Sequence, residues 1–176
     1  MRAPGKAEPT RRIALTGFMG SGKTTVGPLV AQRLGWDFVD VDDVIAVEAG
    51  TTIPEIFRSE GETAFRQRER EAILKLSGAS SLVMALGGGA IEDASTRKLL
   101  LSNPATLLVH LEVKLETTLA RCEGTENLRP VLADQANLKD RYERRLPLYR
   151  MAHVTLEADT LTPDEVAEAI VRAAQD

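Results

Sequence analysis

The segment Gly17-Phe-Met-Gly-Ser-Gly22-Lys23-Thr24 follows the apolar run RIALT and precedes Lys23–Leu34, a stretch of helical period. It fits G-x-x-x-x-G-K-[ST] with a strand before and a helix after, the context in which this motif is a phosphate-binding loop. Glycines let successive backbone N–H groups converge on phosphate oxygens, and the helix N-terminus adds about half a positive charge there. Lys23 then reaches the β- and γ-phosphates, and the Thr24 hydroxyl can ligate Mg²⁺. The loop implies nucleotide binding without saying where the terminal phosphate goes.

A strand feeding such a loop and helix is the first unit of an alternation that runs through the chain. DFVDV precedes Asp43–Gly50, SLVMAL precedes Asp93–Leu101, TLLVHL precedes Lys114–Arg121, and VTLE precedes Pro163–Ala174. This pattern predicts an α/β fold, a five-stranded parallel sheet flanked by helices with right-handed crossovers. SLVMAL and TLLVHL are almost continuously apolar, as central strands buried on both faces should be. The last helix carries Thr162, Pro163 and Glu165 in capping-box spacing. Pro28 falls inside the first helix, crowds the carbonyl of Thr24, and predicts a kink.

The chain's 176 residues suit one domain, expected over residues 12–176 after a flexible tail at 1–11. Two regions interrupt the alternation. Residues 51–77 read as two successive helices split at Gly61, within a substrate-binding insertion over about 43–77; residues 123–137 are polar, contain Gly and Pro, lack periodicity, and read as a lid. A net charge of −4 argues against nucleic-acid binding through bulk charge. A lone cysteine, Cys122, with no zinc-spaced cluster suits a reducing, cytoplasmic setting, and no apolar run is long enough to span a membrane. A monomer is expected.

Asp40 and Asp42 close the second predicted strand; if the strand continues through both, period 2 points their carboxylates to one face at the sheet edge that holds the phosphate loop. Ligands of open α/β sheets bind outside that edge, so one acid can serve Mg²⁺ through water while the other accepts a hydroxyl proton. The structural alternative is an N-cap for the next helix, a role left to Asp43. The run Leu86-Gly87-Gly88-Gly89-Ala90 leaves the third strand at the same edge. Three glycines cost backbone entropy and pack nothing, which predicts close approach of another group, with a plain turn as the alternative.

Arg66 precedes Glu69 by three residues, a spacing that also suits an ordinary surface ion pair. Phe57 and Phe65 flank it and read as core when taken alone. Arg129 lies in the lid segment LRPVL, and Arg144 and Arg145 precede Pro147 in RRLPLY. Guanidinium forks suit phosphate and carboxylate, although Arg144 reads as a solvated surface residue.

The ordered set GFMGSGKT, DVD, AFR, LGGGA, LRPVL and RRLPLY resembles the shikimate kinase family over nearly all of residues 12–175. The resemblance implies a nucleoside-monophosphate-kinase-like P-loop fold and Mg²⁺-dependent transfer of the ATP γ-phosphate to the 3-hydroxyl of shikimate, a step of aromatic amino-acid biosynthesis. It implies ATP contacts from Gly20, Ser21, Gly22, Lys23, Thr24, Thr25, Arg121 and Arg129, with Arg121 against adenine. By the same resemblance Lys23, Asp42 and Arg129 are expected in the catalytic roles, with Asp42 activating the hydroxyl. Thr24, and Asp40 through water, serve the metal. The resemblance implies that Asp42, Phe57, Phe65, Arg66, Gly87, Gly88, Gly89 and Arg145 face the acceptor, with Glu69 orienting Arg66. EADTLTP lacks the basic residues many members place near adenine. Two rivals remain: a kinase for another acidic polyol such as gluconate, and a silent nucleotide-binding regulator, which predicts loss of Lys23, Asp42, Arg66, Arg129 or Arg145.

Overall fold

The computed structural model describes residues 9–123 and 135–176. The lid segment and Arg129 therefore lie outside the described residues, apart from the lid's first and last few positions. Five parallel strands form one sheet: β1 (Arg12–Thr16), β2 (Asp37–Asp40), β3 (Leu82–Ala85), β4 (Thr106–Glu112) and β5 (Val154–Glu157), in the order β2-β3-β1-β4-β5. β1 is buried throughout, and its side chains alternate between two cores, Ile13 and Leu15 on one face and Ala14 on the other. A strand covered on both faces must be apolar throughout, which is why its sequence shows no amphipathic alternation.

Helix α1 (Lys23–Leu34) packs with α7 (Pro163–Gln175) over one face. There Val26, Val30, Val166 and Ile170 meet Ile13 and Leu15. The opposite face is covered by α2 (Val41–Ala49), α3 (Ile53–Leu76), α4 (Ala94–Ser102) and parts of α6 (Gln135–Tyr149), while α5 (Leu115–Cys122) follows β4. The expected break in the insertion falls at Gly61, the one non-helical residue inside α3, with φ of 83°. α1, in contrast, runs through Pro28 as one helix. Its close contact with the sheet lies one residue earlier: a Cβ on Gly27 would stand 2.2 Å from the Phe38 ring of β2. The capping box of α7 forms as read, Thr162 and Glu165 each satisfying the other's N–H.

Register places the functional edge. Leu15 of β1 and Asp40 of β2 both lie opposite Ala85 of β3. The phosphate loop after β1, the acidic start of α2 and the glycine run after β3 consequently leave the sheet at one level. α6 is the element that sequence reasoning did not assign. It is strongly polar and contains Pro147 near its end, so neither a periodic apolar stripe nor local propensity announces it.

Candidate active site

Three glycines shape the phosphate loop: Gly17, Gly20 and Gly22 have φ of 150°, 72° and 96°. Gly17 also has no room for a side chain, since a Cβ there would approach Leu111 O to 2.6 Å. The Lys23 ammonium folds back over the loop, donating to Gly17 O at 2.8 Å and Phe18 O at 3.1 Å. Ser21 is buried, whereas Thr24 and Thr25 present the exposed first turn of α1. Arg121, in the last turn of α5, donates to Gly20 O at 3.0 Å and to Ala158 O at 3.1 Å, joining the phosphate loop to the segment after β5.

The two acids come together in a way the strand argument did not anticipate. β2 ends at Asp40, and α2 begins at Val41, so Asp42 is helical and period 2 does not apply. Asp40 itself is the N-cap, accepting from Asp42 N–H at 2.9 Å, and Asp43 is not the cap. Capping turns the Asp42 side chain inward. Its Oδ1 is buried with no hydrogen-bond partner among the described residues, and burial, reinforced by the Asp40 charge, pushes the carboxyl up to about 6 against the pull of Lys23 and Arg66. Such a carboxylate is a better base than an exposed one.

The glycine run does form a turn, Ala90 N–H donating to Gly87 O at 3.1 Å, although none of its three residues has positive φ, and it is also a place of close approach. Its neighbours are the protein's own charged groups. A Cβ on Gly87 would stand 2.6 Å from Glu69 Oε1 and 3.2 Å from Asp42 Oδ1, and one on Gly89 would overlap the Arg66 guanidinium. Gly88 has ordinary clearance, with Arg145 Nη1 at 3.5 Å and the Tyr149 hydroxyl at 3.6 Å from that position. Arg66 and Arg145, from α3 and α6, thus meet the same glycine strip.

Each guanidinium has its own carboxylate. Arg66 donates to Glu69 at 2.7 Å, with the Glu69 side chain 3% exposed against 24% for Arg66. Burial pushes Glu69 up to about 7 against the pull of Arg66. Arg145 is buried and donates through Nη2 to Glu92 at 2.9 Å, while its Nε has no partner among the described residues. The exposed Arg144 pairs with the same Glu92 at 3.2 Å, in keeping with its surface reading. Glu92 was missed because nothing in the sequence ties the end of LGGGAIE to RRLPLY fifty residues later. Phe65 is core and Phe57 partly exposed; their ring centroids are 4.5 Å apart, and Arg66 lies over the Phe65 ring.

A cavity of about 580 Å³ joins these parts. It runs from Gly20–Thr25 past Asp40 and Asp42 to Leu86, Gly87 and Gly88, and on the other side to Arg121, Leu161, Pro163 and Val166. Arg66, Arg145, Gly89 and the phenylalanines stand beyond its rim. Among the described residues no three His, Cys, Asp or Glu side chains cluster as a metal cage. The hard oxygens among the lining residues, the Thr24 hydroxyl and the Asp40 carboxylate, fit Mg²⁺, which takes few protein ligands and keeps waters and phosphates.

The family model for shikimate kinase matches residues 19–175. The chain belongs to the shikimate kinase family. The shikimate kinase of Salinibacter ruber is 38% identical over 90% of this chain and 82% of its own length, and that of Persephonella marina 36% identical over 92% and 97%. Among solved structures, the shikimate kinase of Acinetobacter baumannii in complex with shikimate superposes with a TM-score of 0.87 at 39% identity, covering 94% of this chain and 93% of that one. A gluconokinase from Sinorhizobium meliloti reaches a TM-score of 0.54 at 18% identity, a likeness of fold alone. No described helix is long and apolar enough to cross a membrane.

Proposed function

We infer that this chain is an ATP-dependent shikimate kinase, transferring the γ-phosphate of ATP to the 3-hydroxyl of shikimate. One observation supports this reading most: the guanidinium groups of Arg66 and Arg145 border one glycine strip, which begins beside the buried Asp42 carboxyl. An anionic polyol needs that charge, and an alcohol acceptor needs that base. Charge-assisted bonds of this kind contribute roughly 1.5–3 kcal/mol each.

In this reading the phosphate loop and Lys23 hold the phosphates, Arg121 and the apolar Leu161–Pro163 wall take the base, and the γ-phosphate points along the cavity toward Asp42. Thr24, and Asp40 through water, would hold Mg²⁺, which would supply charge neutralisation on the phosphates. Asp42 orients the 3-hydroxyl and receives its proton. Arg66 and Arg145 hold the carboxylate, Phe57 and Phe65 flank the ring, and Gly87, Gly88 and Gly89 supply backbone contacts. Residues 43–77 serve as the acceptor-binding insertion and 123–137 as a lid that contributes Arg129. Phosphoryl transfer asks for little beyond alignment, charge and a dry site. We assign the protein to the cytoplasm as a monomer.

The test is product identity. Phosphorus–proton coupling in the product made from ATP and shikimate should place phosphate on O3; phosphate on another hydroxyl, or no product, contradicts the assignment.

A further inference from the structure

Tyr149 heads the fully buried side chains by size, and no role above uses it. It lies four residues after Arg145, so α6 delivers a guanidinium and a phenol from one face. The Tyr149 hydroxyl donates to Gly88 O at 2.6 Å, and its ring stacks on His110 of β4 with centroids 5.1 Å apart and planes 24° apart. Burial raises the phenol well above its ordinary range, so the hydroxyl keeps its proton and remains a donor.

A peptide plane transmits that bond. The chain has no cis peptide in the described residues, so the Gly89 N–H points opposite to the Gly88 C=O that Tyr149 holds. Around the strip, Leu86 N–H donates to Leu15 O and Ala90 N–H donates to Gly87 O. The N–H groups of Gly87, Gly88 and Gly89 between them meet no acceptor among the described residues. Three glycines in succession have little intrinsic preference for one peptide orientation. The Ala90–Gly87 bond closes a turn around the Gly88–Gly89 peptide, whose two faces such a turn can exchange when its central residues are glycines, and the Tyr149 hydroxyl holds the carbonyl on one of them.

We propose that Tyr149 is a positioning residue for the acceptor: by fixing the Gly88 carbonyl it aims the Gly89 N–H at shikimate, with His110 bracing the ring. This rests on the reading that the glycine strip faces the acceptor. Tyr149→Phe keeps the stack and removes the hydroxyl, both as the donor to Gly88 O and as a partner of the Arg145 guanidinium, so the Gly89 amide is the readout that isolates the first effect. A purely structural tyrosine would change stability and leave the acceptor's response alone.

The experiment follows the glycine amides of ¹⁵N-labelled protein during shikimate titration, together with steady-state kinetics. In the wild type, shikimate should move the Gly89 amide resonance. In Tyr149→Phe that movement should fall to less than half, and the KM for shikimate should rise roughly five- to tenfold with the KM for ATP within about twofold, as loss of one hydrogen bond implies. An undiminished Gly89 response with an unchanged shikimate KM overturns the proposal alone. A wild-type Gly89 amide that ignores shikimate overturns the glycine-strip reading and the proposal with it. Should Tyr149→Phe not fold, the wild type suffices: with only two tyrosines in the chain, 3-fluorotyrosine labelling gives two signals and Tyr142 serves as the control. Shikimate should shift the Tyr149 signal, since an acceptor on the Gly89 N–H polarises the same peptide; an unmoved Tyr149 signal overturns the proposal.

Discussion

Arg66 and Glu69, one helical turn apart on α3, form an ion pair of 2.7 Å in which the carboxylate is buried and the guanidinium keeps an exposed edge. The same spacing on a solvated face would be worth only about 0.2–0.5 kcal/mol. Here the buried carboxylate fixes where the fork points, and Gly89 leaves the space for it. Glu69→Gln should therefore raise the KM for shikimate roughly tenfold, the scale of one weakened charge-assisted bond, while leaving the KM for ATP unchanged. Steady-state kinetics with each substrate varied in turn checks this; equal effects on both would remove Glu69 from the acceptor site.

Asp42 should trade stability for activity. Burial and the Asp40 charge push its folded-state carboxyl up to about 6, above the ordinary aspartate value near 3.8, so the native state binds this proton more tightly than the unfolded chain does. The stability linked to it is fully present below the unfolded value and is lost as pH rises through about 6. Asp42→Asn should then stabilise the protein at pH 8 by about 1–2 kcal/mol while lowering kcat by roughly 10²–10⁴-fold. In the wild type kcat/KM should fall below about pH 6, where the base becomes protonated. Thermal unfolding and pH–rate profiles read both effects.

Two glycine-to-alanine changes should separate site from scaffold. At Gly89 the nearest atoms to the added methyl are the movable end of Arg66, so Gly89→Ala should fold normally and raise the shikimate KM. At Gly27 it meets the Phe38 ring between α1 and β2, so Gly27→Ala should cost about 1–3 kcal/mol of stability and leave both KM values near wild type. Kinetics paired with denaturant unfolding distinguishes them.

These particulars show where local sequence carried the fold and where it stopped. The five strands, the break at Gly61 and the α7 capping box were legible because each depends on neighbours within a few residues. Asp40 and Asp42 were picked out as a pair, but through strand periodicity, whereas an N-cap that bends the chain does the work. The glycine run was recognised as a place of close approach; that Glu69 and Arg66 are among the approaching groups depends on α3 folding back over the sheet. α6 with Tyr149, and the pairing of Glu92 with Arg145, rest on contacts more than fifty residues apart, for which local pattern holds no signal.

The central claim is tested most directly by Mg²⁺-dependent ADP release from ATP by the purified protein, with shikimate, with gluconate and with no acceptor, alongside Lys23→Ala. Stimulation by shikimate alone, abolished in Lys23→Ala, is the predicted result. Nucleotide binding with no stimulation by shikimate would contradict the account and leave a P-loop fold whose arginines and glycine strip serve something other than phosphoryl transfer to shikimate.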